Sequence, residues 1–247
     1  MAPPVFLVDE LPEGDGYLLG GLEGHHAATV SRLRPGETVR LSDGYGGLAE
    51  CRVTAAGPEG LTLAVLARTV TEPPQLRFVL VQALAKGDRG ELAVELATEL
   101  GVDEVVPWAA SRSVVRWQGE RGERSLARWR ATVRAAAKQS RRTFVPEVAE
   151  PHTTRQVCAL ITRVTGLGGA ALLLHAEAGR ALATVPVPAS GELLVVVGPE
   201  GGLSEGELTV FRAAGAKAVR LGPGILRTST AGAAALAVLS VRAGRWT

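Results

Sequence analysis

Leu193-Leu194-Val195-Val196-Val197-Gly198-Pro199-Glu200-Gly201-Gly202-Leu203-Ser204-Glu205-Gly206-Glu207 is the stretch whose reading decides the fold. Its apolar run shows no polar alternation, which predicts a strand buried on both faces, as in a parallel sheet. The run stops at Gly198-Pro199. Ser204 and Glu207 then have the spacing of a capping box, so the strand feeds a helix over residues 205–214, stopped at Gly215. The pattern recurs. Ala218-Val219-Arg220-Leu221 predicts a strand, Gly222-Pro223-Gly224-Ile225-Leu226-Arg227-Thr228 a second Gly-Pro loop, and residues 230–242 a helix of small residues. In an open α/β sheet ligands lie beyond the carboxyl ends of the strands, and glycine there lets backbone N–H groups come close. A single Gly-Pro turn reads as an ordinary connection. Two of them, each between an apolar strand and a helix, point to a ligand site.

Working outward, Glu72-Pro73-Pro74 reads as a linker, and strands and helices alternate after it. Strands are expected at 77–83, 102–108 and 170–174, and helices at 88–100, 125–140 and 154–165. Leu92, Leu96 and Leu100 form one stripe of the first helix, with Ala93 and Ala97 beside it. This alternation predicts a mainly parallel sheet with covered faces. Before the linker, short strands at 5–8, 37–42, 48–55 and 61–69 surround a helix at 24–34, with Gly-rich turns at 43–47 and 57–60. That spacing suggests a small barrel. Two domains are therefore expected, residues 1–72 and 73–247.

The 247 residues are 46% hydrophobic and carry a net charge of +2, so any nucleic-acid surface must be a local patch. Cys51 and Cys158 are far apart, without metal-ligand or disulfide-framework spacing, which fits a reducing cytoplasm and no metal site. The N-terminus lacks the basic and long apolar regions of a signal peptide, and no apolar run reaches membrane-spanning length.

The segments VVVGPEGGLSEGE and LGPGILRTSTAGAAAL resemble the SPOUT methyltransferases, and within them the bacterial small-subunit (16S) ribosomal RNA uracil-N3 methyltransferases. Residues 86–89 (KGDR), Gln139-Ser140-Arg141-Arg142 and residues 25–44 also resemble that family. Gly224 and Ser229 depart from its pattern, which has a basic and an acidic residue there. The resemblance implies a C-terminal sheet tied into a trefoil knot, an N-terminal PUA-like RNA-binding domain, a homodimer, and S-adenosylmethionine as methyl donor. It places the cofactor among Leu174, His175, Glu177, Gly198, Pro199, Gly201, Gly202, Leu221, Gly222, Ile225, Leu226, Thr228 and Ala231. Small-subunit ribosomal RNA, or the assembled small subunit, is the implied partner.

Methylation of uracil N3 removes a weakly acidic imide proton and needs the developing anion stabilised. Arg227, before a helix N-terminus, is the expected cation. Glu200 is the candidate for orienting the base or accepting the proton. N3 lies on the Watson–Crick edge, so the base must be unpaired or flipped out. For RNA, Arg130, Arg134 and Lys138 fall at i, i+4 and i+8 of one helix, extended by Arg141 and Arg142, with no acid between Ser125 and Pro146. Same-sign neighbours repel on a helix, so such a stripe suits a polyanion. Trp129, Val133, Ala136 and Ala137 are expected to be its buried face. Arg32 and Arg34 of the small domain, and Lys86 and Arg89 at the sheet edge, complete the expected RNA contacts. Two other readings compete: a non-catalytic RNA-binding or ribosome-assembly factor, and a nucleotide-binding α/β enzyme. The second is weak, because GPEGG lacks both the Walker Lys-Ser/Thr and the GxGxxG spacing.

Overall fold

The apolar run after Gly191 becomes the middle of a parallel sheet. In the computed structural model, which describes residues 3–246, the chain divides into two units, residues 1–73 with 137–145 and residues 74–136 with 146–247. The segment 137–145, which the sequence reading gave to the second domain, groups with the first.

In the first unit the strands are β1 (Val5–Leu7), β2 (Gly16–Leu19), β3 (Thr38–Ser42), β4 (Gly47–Gly57) and β5 (Gly60–Val70), in the order β1-β3-β4-β5-β2. Only β1 and β3 run parallel. Phe6, Leu19, Val39, Leu41, Cys51, Leu61 and Leu63 fill the core. The helix expected at 24–34 begins earlier, as α1 (Gly21–His25), and continues as a π-turn over His26–Val30. It ends before Arg32, whose φ of 51° no helix accommodates.

The second unit carries β6 (Leu76–Ala83), α2 (Arg89–Glu99), β7 (Glu104–Ala109), α3 (Gly119–Gln139), β8 (Glu147–Val148), β9 (His152–Thr153), α4 (Thr154–Gly166), β10 (Ala170–Leu174), β11 (Gly191–Val197), α5 (Glu205–Ala213), β12 (Lys217–Val219) and α6 (Thr228–Arg242). The strand order is β12-β10-β11-β6-β7-β8, with β9 also on β7, and every described pairing is parallel. Helices α4 and α5 cover one face, where Trp108 and Phe211 meet edge to face at 5.1 Å. Helices α2 and α6 lie together on the other. Both faces being covered explains why Leu193 to Val197 are all buried.

One expectation needs correction. The buried face of α2 is Gly90, Ala93, Val94, Ala97 and Thr98, whereas Leu92 is 41% exposed. The helix lies close against α6, whose inner positions include Gly232, Ala233 and Ala235. Helices that approach so closely need small residues at the contact, so alanine displaces leucine from the inner face. Helix α3 also starts at Gly119 rather than 125, although its buried face of Trp129, Val133, Ala136 and Ala137 is as expected.

The C-terminal segment returns from the edge strand β12 to the sheet centre. On the way it crosses the connection between β10 and β11. Arg220 donates from its guanidinium to the Ala178 and Gly179 carbonyls at 2.8 and 2.7 Å. Its backbone N–H bonds Arg180, and its carbonyl accepts from Leu182. Arg242 donates to the carbonyls of Leu182 and Val185. Beyond α6, Arg245 donates to the Gly101 and Leu76 carbonyls, pairs with Asp103 at 2.6 Å, and stacks over Phe78.

Candidate active site

The parallel strands all deliver their carboxyl ends to one edge, and the loops that leave it carry most of the expected site. After β10 comes residues 175–181, after β11 residues 198–203, after β12 residues 220–227, after β6 residues 84–88 and after β7 residues 110–118. Leu174 and His175 are half-buried, and the His175 N–H donates to the Val219 carbonyl at 2.9 Å, tying the first loop to the third. Glu177 is exposed. Pro199 is buried, while Gly201 and Gly202 lie at the surface in a turn closed by Gly202 N–H to the Pro199 carbonyl at 2.9 Å. Gly202 has φ of +70° and open space where a Cβ would stand. Its glycine is required by backbone conformation, not by crowding. The capping box at Ser204 and Glu207 forms as expected.

The second Gly-Pro loop is more exposed. Leu221 and Gly222 are half-buried, but Ile225 is 87% and Leu226 44% exposed. Ala231 lies half-buried in the first turn of α6, its N–H on the Arg227 carbonyl. Thr228 is buried and joins the two loops to the sheet: its hydroxyl donates to the Gly198 carbonyl at 2.8 Å and accepts from Gln82 Nε2 at 2.9 Å. Arg227 stands exposed at the N-cap of α6 and has no ion pair among the described residues. Its charge therefore adds to the positive end of the helix dipole.

Glu200 turns towards the neighbouring loop. Its Oε1 accepts from the Lys86 N–H and from Arg89, each at 3.2 Å. Partial burial favours the neutral acid, but the backbone bonds and the Arg89 guanidinium outweigh it and hold the carboxyl below the ordinary range. Glu200 is therefore built to fix the 86–89 loop. Glu207 is 4% exposed and does more than cap α5. Its Oε1 accepts from the Ser111 N–H at 2.7 Å, and its Oε2 from the Ser204 N–H and hydroxyl at 2.9 Å. These bonds overcome its desolvation and lower its proton affinity too.

Sequence reasoning missed three arginines that shape these loops. Arg112 donates to the Gly201 and Leu203 carbonyls at 3.2 and 3.1 Å, and Arg116 to those of Ala110 and Ser111. Arg220 bonds the Ala178 and Gly179 carbonyls of the first loop. A guanidinium that binds carbonyls has no sequence pattern to distinguish it from a solvated one.

The helix stripe is altered by its neighbours. Arg130 donates to the Val148 carbonyl and pairs with Glu150 at 2.9 Å. Lys138, in the first unit, pairs with Glu23 through both carboxylate oxygens at 2.7 Å and lies over Phe6. Of the three, only Arg134 is exposed with no ion pair among the described residues. Arg32, Arg34 and Arg141 are exposed on the first unit, where Arg142 is half-buried. Among the described residues no cluster of potential ligands could hold a metal.

His175, whose Nδ1 has no partner among the described residues, and the uncovered Ile225 and Leu226 offer both polar and apolar surface to a ligand at this edge. An RNA methyltransferase domain model matches residues 71–240, and an RNA methyltransferase PUA domain model residues 19–66. The chain is 46% identical to ribosomal RNA small subunit methyltransferase E of Mycobacterium bovis, over 100% of this chain and 94% of the relative. Among solved structures, the same enzyme of Neisseria gonorrhoeae, bound to S-adenosyl methionine, is 31% identical with a TM-score of 0.86, covering 98% of each chain. A putative methyltransferase of Legionella pneumophila, in complex with its cofactor SAM, is 25% identical with a TM-score of 0.85, covering 98% of each chain. The chain belongs to the ribosomal RNA small subunit methyltransferase E family. Its architecture joins an RNA methyltransferase PUA domain to an RNA methyltransferase domain built on a parallel sheet, and the methyltransferase reading stands over that of a non-catalytic assembly factor.

Proposed function

We propose that this protein transfers the methyl group of S-adenosylmethionine to N3 of a uridine in small-subunit ribosomal RNA. The observation that carries the reading is the exposed Arg227 at the N-cap of α6, at the end of the second Gly-Pro loop and next to Thr228, which fastens that loop to Gly198 of the first. The cofactor, when bound, would supply a methyl group on a sulfonium; the S–C bond breaks as the methyl is transferred, and the rest of the cofactor is released as a neutral thioether. The loops at Leu174–Glu177, Gly198–Gly202 and Leu221–Ala231 would hold it, chiefly through backbone groups and the uncovered Ile225 and Leu226. Arg227 faces the uracil and stabilises the negative charge that grows on its carbonyls as the N3 proton leaves to solvent and the N3–methyl bond forms. Glu200 holds Lys86 and Arg89 at the edge of the site, and its lowered proton affinity suits it to that role rather than to taking the N3 proton.

Arg32, Arg34, Arg134, Arg141 and Arg142 contact phosphates, with Lys86 and Arg89 nearer the base. Phosphate contacts give affinity without sequence choice. The exposed apolar side chains on α2 and α6, Leu92 and Val241, support association of two copies into a homodimer. Residues 1–72, with the segment 137–145 that groups with them, act as the RNA-binding domain and the remainder of residues 73–247 as the catalytic one, in the cytoplasm where ribosomal RNA is found.

The test is transfer of label from S-adenosylmethionine to small-subunit ribosomal RNA, followed by mass spectrometry of the nucleosides. N3-methyluridine is expected. Methylation at carbon 5 or at a ribose hydroxyl, or no transfer to naked RNA and to assembled subunits alike, would overturn the proposal.

A further inference from the structure

A cavity of about 340 Å³ opens beside the 86–89 loop, and none of the methyl-transfer steps above uses it. Its walls include Ala85, Asp88, Glu91, Trp117, Arg128 and Trp129. Trp117 and Trp129 form an aromatic corner, their rings 5.0 Å apart and inclined at 82°. Trp129 is buried and Trp117 only half-buried, so Trp117 is the ring offered to a ligand. The corner is closely fitted: a side chain at Gly90 would come within 2.9 Å of the Trp129 ring.

Two of its walls are anchored to the loop after β11. The 86–89 loop is bonded to Glu200, and the 110–118 loop, which carries Trp117, is bonded through Arg112 to Gly201 and Leu203. Whatever fills the cavity therefore sits beside the methyl-transfer site. Neither residues 174–177 nor 221–228 line it, so it is not where the methylated base itself lies.

Its chemistry selects the occupant. Asp88 and Glu91 repel a phosphate but accept the N–H groups of a base edge. Arg128 pairs with Glu91 at 3.8 Å and is exposed, available to the adjoining backbone. An aromatic face beside carboxylates and Arg128, with the exposed Lys86 in the adjoining loop, matches an unpaired base within a polyanion. We propose that the cavity takes an unpaired nucleobase flanking the methylated uridine, stacked on Trp117 with its N–H groups donated to Asp88 or Glu91. The inference rests on the reading that the chain acts on RNA.

The experiment uses the full-length protein and an RNA fragment that contains the target. Trp108 is buried away from the cavity lining and Trp246 is exposed, so in Trp246→Phe the signal that RNA changes is that of the aromatic corner, Trp117 with Trp129 behind it. RNA should quench it. Trp117→Ala should weaken RNA binding at least about fivefold, the lower end for one lost base–aromatic stack, and raise KM with cofactor affinity unchanged. Trp117→Phe should restore most of it. An abasic nucleotide at one flanking position should cost the wild type the same factor, cost Trp117→Ala nothing further, and abolish the quenching. Normal RNA affinity in a folded Trp117→Ala variant overturns the proposal, as does loss of cofactor affinity, which would assign the cavity to the cofactor. Should Trp117→Ala fail to fold, the abasic scan decides: no flanking position that relieves quenching overturns the base site. RNA that quenches Trp117 but is never methylated overturns the methyltransferase reading and leaves the base site standing.

Discussion

Arg134 and Lys138 lie one turn apart on α3, yet they should respond differently to neutralisation. Lys138 already has a carboxylate: both Glu23 oxygens lie 2.7 Å from its Nζ, and the two side chains are only 25% and 28% exposed. A phosphate that recruited Lys138 would first have to break this pair and leave Glu23 facing the polyanion. Arg134 has no such competitor. Arg134→Gln should therefore lower the slope of log K against log salt by about 0.7, the loss of one counterion-releasing contact on a single strand. Lys138→Gln should leave the slope unchanged. Its effect should appear in stability instead, as loss of a partly screened ion pair and of the contact over Phe6, about 1 kcal/mol. For a chain of this size that is a fall in Tm of roughly 2–4 °C. Fluorescence anisotropy of a labelled RNA across a potassium chloride series gives the slopes, and thermal melts give the stability. Equal loss of slope in both variants would show that the Glu23 pair opens for phosphate, and the reasoning from the ion pair would be refuted.

Arg227→Ala should bind RNA and cofactor almost normally while turnover falls about 100-fold, as when one charge-stabilising group is removed; rapid-quench kinetics with saturating substrates would check it, and unchanged turnover would remove Arg227 from the chemistry. Gly202→Val places a branched side chain at φ +70° and should weaken S-adenosylmethionine binding at least about tenfold, read by calorimetry on protein that still melts cooperatively. Thr228→Val leaves the Gly198 carbonyl and Gln82 amide without their shared partner and should cost about 1–3 kcal/mol in chemical denaturation. Glu207 binds its proton less tightly when folded than when unfolded, so the stability it contributes is complete above the ordinary carboxylate pKa and is lost as pH falls below it. Melts between pH 3 and pH 7 should show a shallower acid loss in Glu207→Gln than in the wild type, and parallel curves would refute this.

The sequence made the parallel sheet legible because burial on both faces leaves a strand with no polar position, as Leu193 to Val197 show. Ser204 and Glu207 marked a helix start because capping is local chemistry, confined to one turn. What could not be read depended on distant neighbours. The inner face of α2 was set by the closeness of α6, which favoured Ala93 and Ala97 over a more hydrophobic leucine stripe. Lys138 looked like part of an RNA stripe because Glu23, more than a hundred residues earlier, gives no sign in the sequence that it will meet it. Arg112 and Arg220 act on backbone carbonyls, which every residue has, so no residue type announces the partner. The β2 strand, Gly16–Leu19, was missed because it is short and its outer residues are exposed.

The order of strands in the sheet also sets an order in time. Strand β6 lies between β11 and β7, and Leu76 pairs with Gly191, over a hundred residues further along the chain. During synthesis, at roughly 5–20 residues per second, one edge of β6 stays without its hydrogen-bond partners for several seconds after the other can be filled. A bare edge of this kind invites pairing with another chain. The residues that then close the site, Thr228 on Gln82 and Gly198, arrive later still. A nascent chain that has made β6, β7 and even β11 thus has a nearly complete sheet but no joined pair of loops. Binding competence comes in a single late step, when α6 docks.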